Sequence, residues 1–327
     1  MVALVGEAVA VRAEAPRGEG RTRAVARLEG FLASWCAAEG EFAPLAHHVF
    51  ATPGKRLRGQ LTLATAALYS AELDVLRGDQ DALRAAAAVE LIHEASLVHD
   101  DISDRSMTRR GAASIAARFG MRLGVRFGIW LAARGMALIG ELETRRRLGL
   151  VFSPLTALAE GQILETVRCA SPAERRGHYL AVVRAKTGAL MQMACDIGAR
   201  VAELGGDALA ALATFADALG VAFQVADDIR DIEAPPSLGK PGGTDLANGV
   251  WTWPVIEWLD APSAARVDAD LATIPLDMLR EQLIVSGALR RARAFAASER
   301  ARAKAALRGF PDSAGRAWLH DLCELAT

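Results

Sequence analysis

Two long apolar stretches of this chain, 80–105 and 207–232, carry a helical period, and both finish in the same acidic group. The first holds Asp100, Asp101 and Asp104 in LVHDDISD; the second holds Asp227, Asp228 and Asp231 in FQVADDIRD. Each reads D-D-x-x-D, so the first and last aspartate of each group share a helix face. A single group of this kind is usually a solvated face, or favourable charge at a helix N-terminus. Here both groups follow directly on apolar residues, Leu97-Val98-His99 and Val221 to Ala226. Like charges crowded in that setting are costly without a cation between them. Two such helices with their acidic faces turned together make an oxygen-lined site for hard divalent cations, whose coordination is typically completed by substrate phosphates. Asp100, Asp104, Asp227 and Asp231 are therefore the expected metal ligands. Mg²⁺ is the expected cofactor, with Mn²⁺ as its substitute, and a diphosphate is the expected ligand.

The rest of the chain points to an all-α fold. Helical patterns run roughly over 22–38, 42–50, 56–76, 80–105, 112–138, 140–168, 172–186, 188–203, 207–232, 251–259, 263–272, 276–307 and 312–325, the pattern at 276–307 breaking near Gly287. No strand is evident, and the dominant residues, Ala and Leu, are strong helix formers. No low-complexity linker or fixed repeat divides the sequence, so a single domain over 1–327 is expected, built as a bundle. Residues 1–20 lack a basic start and are expected to be a disordered leader, not a signal peptide. Net charge is −1, which offers nucleic acid no basic field. No uninterrupted apolar run reaches membrane-spanning length; the longest, Leu148 to Ala159, ends at Glu160. Cys36, Cys169, Cys195 and Cys323 show no paired spacing and fit a reducing compartment, so a cytoplasmic location is expected.

Basic and polar residues gather around the two acidic groups. Arg109 and Arg110 follow the first, and adjacent arginines on a loop point apart, toward two different phosphates. Lys55 and Arg58, in PGKRLR, share a face if a helix starts after Gly54, which makes an anion site at a helix N-terminus. His93 lies two turns before Asp100 and so on the aspartate face. Lys186 and Thr187 sit at an expected helix break in RAKTGA, without P-loop spacing. Gln162 and Gln224 are polar residues in apolar helical surroundings, and Gln224 lies three before Asp227. The segment EAPPSLGKPGGTDLANG, from Glu233 to Gly249, cannot be helical throughout and carries Lys240 as a candidate closing lysine.

Taken in order, GKRLR, ELIHEASLVHDD, DRSMTRRG, EGQ, RAKTGAL, FQVADDIRD and LGKPGGTDL resemble the trans-isoprenyl diphosphate synthases, or polyprenyl synthetases, from about Gly54 to Pro254. The resemblance implies the type I isoprenoid synthase fold, a helical bundle around a central diphosphate and metal cavity. It implies a Mg²⁺-dependent prenyltransferase that joins isopentenyl diphosphate to an allylic diphosphate. In that reading Asp100, Asp104 and Asp227 hold the metals, while Asp101, Asp228 and Asp231 assist directly or through waters. Arg109, Lys186 and Lys240 contact the allylic diphosphate. Lys55, Arg58, His93 and Arg110 hold isopentenyl diphosphate, and Thr187 and Gln224 line the reacting centre. Homodimerisation is also implied.

Product length has a geometric reading. Ala95 and Ser96 lie one turn before Asp100 and Ile92 one turn further, which puts Ala95 about 7 Å below the metal site. In the family a bulky aromatic there ends the cavity early. Small residues here resemble longer-chain synthases making twenty carbons or more, with Phe127 or Trp130 available as a lower floor. Several positions depart from the family pattern: Gly59 replaces a proline, Phe127-Gly128-Ile129 replaces Ala-Gly-Asp, Val250 replaces a lysine, and no arginine follows Thr327. Val250 and Ile129 motivate one alternative, a relative that ionises a prenyl diphosphate for cyclisation or for another acceptor. A separate, non-enzyme alternative is a regulatory subunit of a heteromeric synthase, which would be expected to have lost the aspartates that this chain keeps. The spacing of Arg118, Arg122 and Arg126 reads as a solvated face.

Overall fold

The computed structural model describes residues 17–35, 40–52, 54–70, 73, 79–142, 152–167, 172–233, 251–260 and 274–326. Lys240, Val250, Cys36, Cys169 and the pattern at 263–272 lie outside the described residues.

Helix α4 (Gln80–Ser103) starts where Asp79 accepts the Ala82 N–H at 3.0 Å, an N-cap that satisfies one of the orphan donors of the first turn. Most of its residues between Ala82 and Val98 are buried, so it serves as an axis of the bundle. Helices α1 (Arg17–Trp35) and α3 (Leu57–Ala66) pack against α4, with α2 (Ala43–Phe50) beside α1. Helix α6 (Met121–Glu141) lies antiparallel along α4: Gly124 faces Ile102, Gly128 faces His99, and Gly135 faces Ile92 and the Ala88 carbonyl. A side-chain carbon at Gly128 or Gly135 would sit 2.3 or 2.8 Å from those atoms, so the close approach depends on their glycines. Next come α7 (Phe152–Thr166), α8 (Arg175–Val183) and α9 (Ala189–Val201). The second axis is α10 (Asp207–Glu233), followed by α11 (Trp253–Leu259), α12 (Leu276–Val285), α13 (Ala288–Ala306) and α14 (Ala314–Cys323). One apolar core surrounds α4, and a second one packs Tyr179, Val225, Ile229 and Trp253 beneath the end of α10.

Several expectations change. The helix expected from 22 starts at Arg17, which removes residues 17–20 from the expected leader; residues 1–16 lie outside the described part. A short hairpin is present, with β1 (Thr108–Arg109) pairing antiparallel to β2 (Ala112–Ala113). Arg110 and Gly111 take φ 52° and 78° at its tip, the left-handed pair that such tight hairpins need. Two-residue strands are too short to show a sequence alternation. The expected helix at 112–138 is two helices, α5 (Ile115–Phe119) and α6, parted at Gly120 with φ 91°. The expected break at Lys186 is a π turn, Arg184–Gly188, inside one continuous helix from α8 to α9. Gly287, at φ 72°, divides α12 from α13 as expected.

Helices α6 and α10 are each long and apolar enough to cross a membrane by composition, with mean hydropathies of 1.3 and 1.7. Neither is an uninterrupted apolar run: Arg122, Arg126 and Arg134 break α6 and Asp217 breaks α10. Their buried faces pack inside the bundle, α6 on α4 and α10 on the Lys186 helix. Cys195 and Cys323 are buried, and burial pushes both thiols up to about 12. Arg118 and Arg126 meet His48 and Glu41 in exposed contacts, which fits a solvated face.

Candidate active site

The C-terminal ends of α4 and α10 border one open cavity of about 500 Å³ that Asp100, Asp104, Asp227 and Asp228 all reach. Asp100 lies in the last turn of α4 and Asp104 caps it, and no basic residue occupies that turn. The negative end of the helix dipole therefore adds to the repulsion between the carboxylates. Burial raises the proton affinity of Asp100 and Asp104, and Lys186 opposes that rise at both. Carboxylates so placed fit divalent cations, which supply the missing positive charge. Among the described residues no three such side chains converge tightly enough to hold a metal alone. That openness suits ions whose coordination is shared with phosphate oxygens.

The middle aspartates do other work. Asp101 is buried and accepts from Arg109 through Nε at 2.9 Å and Nη2 at 2.6 Å, so it aims the arginine instead of facing the cavity. Asp228 is 3 % exposed. Its carboxylate accepts from the Tyr179 hydroxyl at 2.6 Å, the Trp253 backbone N–H at 2.9 Å and Gln224 Nε2 at 3.1 Å. Gln224 in turn accepts the Thr187 hydroxyl at 2.9 Å. Asp228 thus ties α8, α10 and α11 together and fixes two residues of the cavity wall. Asp227 remains exposed at the rim beside Arg230, at 3.1 Å. Asp231 does not border the cavity.

A separate cationic pocket opens from the same cavity. Arg58 Nη1 lies 2.9 Å from His93 Nε2, and Lys55 and Arg110 stand alongside. Arg56 is the N-cap of α3 with φ 50°; it is buried against Glu29 at 2.8 Å and Glu94 at 2.9 Å. Glu94 also accepts Arg110 at 2.9 Å. The loop reaches Arg110 because residue 54 is glycine; a side-chain carbon there would lie 2.7 Å from the guanidinium. At the position where the family pattern has proline, Gly59 donates its N–H to Glu90 at 2.7 Å, a bond that proline lacks the hydrogen to make. Arg58 Nε and His93 Nδ1 are buried without a hydrogen-bond partner, which fits a pocket built for an anion. Burial first, then Arg58, Arg110 and the other nearby arginines, hold the His93 imidazole well below its ordinary 6.5. A neutral buried histidine stabilises the fold above its unfolded value of about 6.5 and loses that contribution as pH falls from there toward the folded value. The melting temperature is therefore expected to fall between pH 7 and pH 5 more steeply in the wild type than in His93→Gln. Parallel profiles would refute this.

The residues matched by the family model described as Polyprenyl synthetase are 40–273. The chain is 33 % identical over 88 % of its length to heptaprenyl diphosphate synthase component 2 of Geobacillus stearothermophilus, of which it covers 90 %. It is 33 % identical over 82 % of its length to a nonaprenyl diphosphate synthase of Mycobacterium tuberculosis, of which it covers 81 %. The crystal structure of a polyprenyl synthase from Caulobacter crescentus, complexed with calcium and isoprenyl diphosphate, superposes with a TM-score of 0.84 at 31 % identity, covering 96 % of this chain and 98 % of that one. The chain belongs to the polyprenyl synthetase family. It is accordingly a prenyltransferase of all-α fold.

In this polyprenyl synthetase many of the expected site residues lie near one another. The structure brings Lys55, Arg58, His93, Asp100, Asp104, Arg109, Arg110, Lys186, Thr187, Gln224 and Asp227 to one cavity. The chain-length residues divide. Ser96 borders the cavity, whereas Ile92 and Ala95 are buried away from it, Ile92 against Gly135 of α6. The apolar wall comes instead from Leu97, Leu158, Val183, Leu190 and Phe223. Phe127 and Trp130 are no floor: they stack at 5.6 Å in an aromatic cluster with Phe42 and do not border the cavity. Tyr179 and Glu165 are among the site residues that escaped the sequence reading. Tyr179 shows no motif by itself; Glu165 lies three residues after Gln162, and it is Glu165 that borders the cavity.

Proposed function

We propose that this protein condenses isopentenyl diphosphate with an allylic prenyl diphosphate to give a longer trans-polyprenyl diphosphate of twenty carbons or more. The observation that carries this reading is the pairing of an acidic site and a separate cationic pocket on one cavity. A cyclase or a transferase to an uncharged acceptor has no use for the second pocket, so retained Arg58, His93 and Arg110 favour a second diphosphate as acceptor. Divalent cations, Mg²⁺ in this proposal, would be held by Asp100, Asp104 and Asp227 and would neutralise charge on the departing diphosphate. Lys186 and Arg109 add charge-assisted hydrogen bonds to the same group as its bond to carbon breaks. Lys55, Arg58 and Arg110 orient the acceptor's double bond toward the allylic cation. Thr187 and Gln224, fixed through Asp228, flank the reacting carbons. The apolar wall from Leu97 to Phe223 shields the cation from water and receives the tail. Ser96, small and beside the metal site, leaves the head of that path open, which supports a long product. Incubation with Mg²⁺, isopentenyl diphosphate and a series of allylic primers, followed by chromatography, should give products of at least twenty carbons. Diphosphate release without consumption of isopentenyl diphosphate would instead identify a cyclase or alternative transferase.

The proposed assembly is a homodimer. The outward face of α6 exposes Met121, Val125, Ile129 and Met136, and α7 exposes Ile163. This is an apolar surface of the kind that subunit contacts cover. Ile129 stands where the family pattern has aspartate, so the departure enlarges this face. A second reading, a subunit of a heteromeric synthase, is favoured by the relative named as a component 2. Light scattering on the purified protein separates them: a dimer active alone supports the first, and activity only with an added partner supports the second. The proposed compartment is the cytoplasm, which subcellular fractionation would contradict if the protein were recovered only with membranes.

A further inference from the structure

Lys186 stands among more carboxylates than it can serve. Its ammonium donates to Glu165 at 2.6 Å, and the two side chains are 20 % and 24 % exposed. It is also the foremost opposite charge acting on both Asp100 and Asp104, while Glu165 acts on both with the same sign as they do. All four groups border one cavity. The grip on Lys186 is built into the helices. Gly161 lies one turn before Glu165, and a side-chain carbon there would meet Ala185 at 2.6 Å and Lys186 at 3.1 Å. Helix α7 therefore lies close against the π turn, whose extra residue sets Lys186 on the cavity side. A lysine ammonium is a mobile point charge on a flexible stem and takes whichever carboxylate is best placed. If Glu165 is removed, the acids left facing Lys186 are the two expected to receive metal.

We propose that Glu165 is a positioning residue that draws the Lys186 ammonium off Asp100 and Asp104, keeping them open to divalent cations until a diphosphate takes the lysine over. This rests on the reading of Asp100 and Asp104 as metal ligands. It assigns a task to a carboxylate outside both D-D-x-x-D groups. In the empty site Lys186 and Glu165 neutralise each other. On arrival of a diphosphate the ammonium moves to its oxygens, and Glu165 is left facing the metal-bearing side of the cavity. The site thus offers its cations and its lysine together, with neither blocking the other.

The test is Mn²⁺ binding to the full chain, followed by electron paramagnetic resonance without substrate, in the wild type, Glu165→Gln, Lys186→Gln and the double variant. Glu165→Gln is expected to weaken Mn²⁺ binding about fivefold or more, because Lys186 turns to the aspartates. The double variant is expected to recover wild-type affinity or better, since the competing ammonium is gone. Unchanged binding in Glu165→Gln overturns the proposal. So does an equal loss with and without Lys186, which would make Glu165 a metal ligand in its own right. Matching circular dichroism melts exclude misfolding as the cause. A control separates the underlying reading: failure of the wild type to bind Mn²⁺, or undiminished binding in the Asp100→Asn/Asp104→Asn variant, would refute the metal assignment itself.

Discussion

Asp100→Ala is expected to lower kcat by about 10³-fold while leaving the melting temperature unchanged or slightly higher. The two halves of this expectation have one cause. Asp100 sits at the negative end of α4, and burial makes its charged form unfavourable in the empty fold. The carboxylate therefore costs stability, and alanine relieves that strain. What is lost is the charge that holds cations against the leaving diphosphate, a contribution made most strongly as the bond to carbon breaks. Asp227→Ala should show the same fall in kcat with little effect on stability, because its side chain is 62 % exposed and its ion pair is with nearby Arg230, one turn along the same helix. Full activity in either variant would refute the metal assignment. A fall in melting temperature matching the loss of activity would mean that the aspartates hold the fold and not the cations.

The site was legible in the sequence wherever a residue's role follows from its own chemistry and spacing. Asp100 and Asp104 lie one turn apart on an apolar helix, a spacing that points to a site for positive charge. Arg58, His93 and Arg110 were found because basic groups flanked that site. Residues that act through others stayed hidden. Tyr179 is separated from Asp228 by 49 residues, and nothing in either segment announces their hydrogen bond. Asp101 and Asp228 looked like their neighbours in the motif, yet Asp101 turns away from the cavity to Arg109, and Asp228, buried at the cavity wall, is taken up by Tyr179, Trp253 and Gln224. Helix periodicity identified α4 and α10 but not which way α4 turns its small residues. Ala95 looks like a tunnel position by its distance from Asp100, but it lies about 100° around the helix from Ser96 and faces the core. Of the two, Ser96 alone meets the cavity. The hairpin at Thr108–Ala113 depends on two left-handed residues, Arg110 and Gly111, and the sequence pattern predicts such a backbone at glycine far more readily than at arginine.

Asp228→Ala is expected to destabilise the protein by about 3 kcal/mol or more, in contrast to Asp100→Ala. Two effects oppose each other at this position. Removing a carboxylate that is 3 % exposed relieves the cost of its burial. It also strips the acceptor from the Tyr179 hydroxyl, the Trp253 N–H and Gln224 Nε2 at once. A donor left buried without an acceptor costs about 1–3 kcal/mol, and three of them outweigh the relief. A melting temperature lower by roughly 6 °C or more is the expected reading for a chain of this size. Activity should fall as well, because Gln224 loses one anchor and with it the partner that holds the Thr187 hydroxyl. Asp228→Asn keeps one acceptor oxygen and should lie between the two in melting temperature. If Asp228 were a metal ligand like its neighbour, Asp228→Ala would abolish turnover and leave the melt untouched, as expected for Asp227→Ala. A loss of stability at 228 beside its preservation at 227 would show that adjacent, chemically identical aspartates of one motif divide the work: one faces the cations and the other holds the wall that surrounds them.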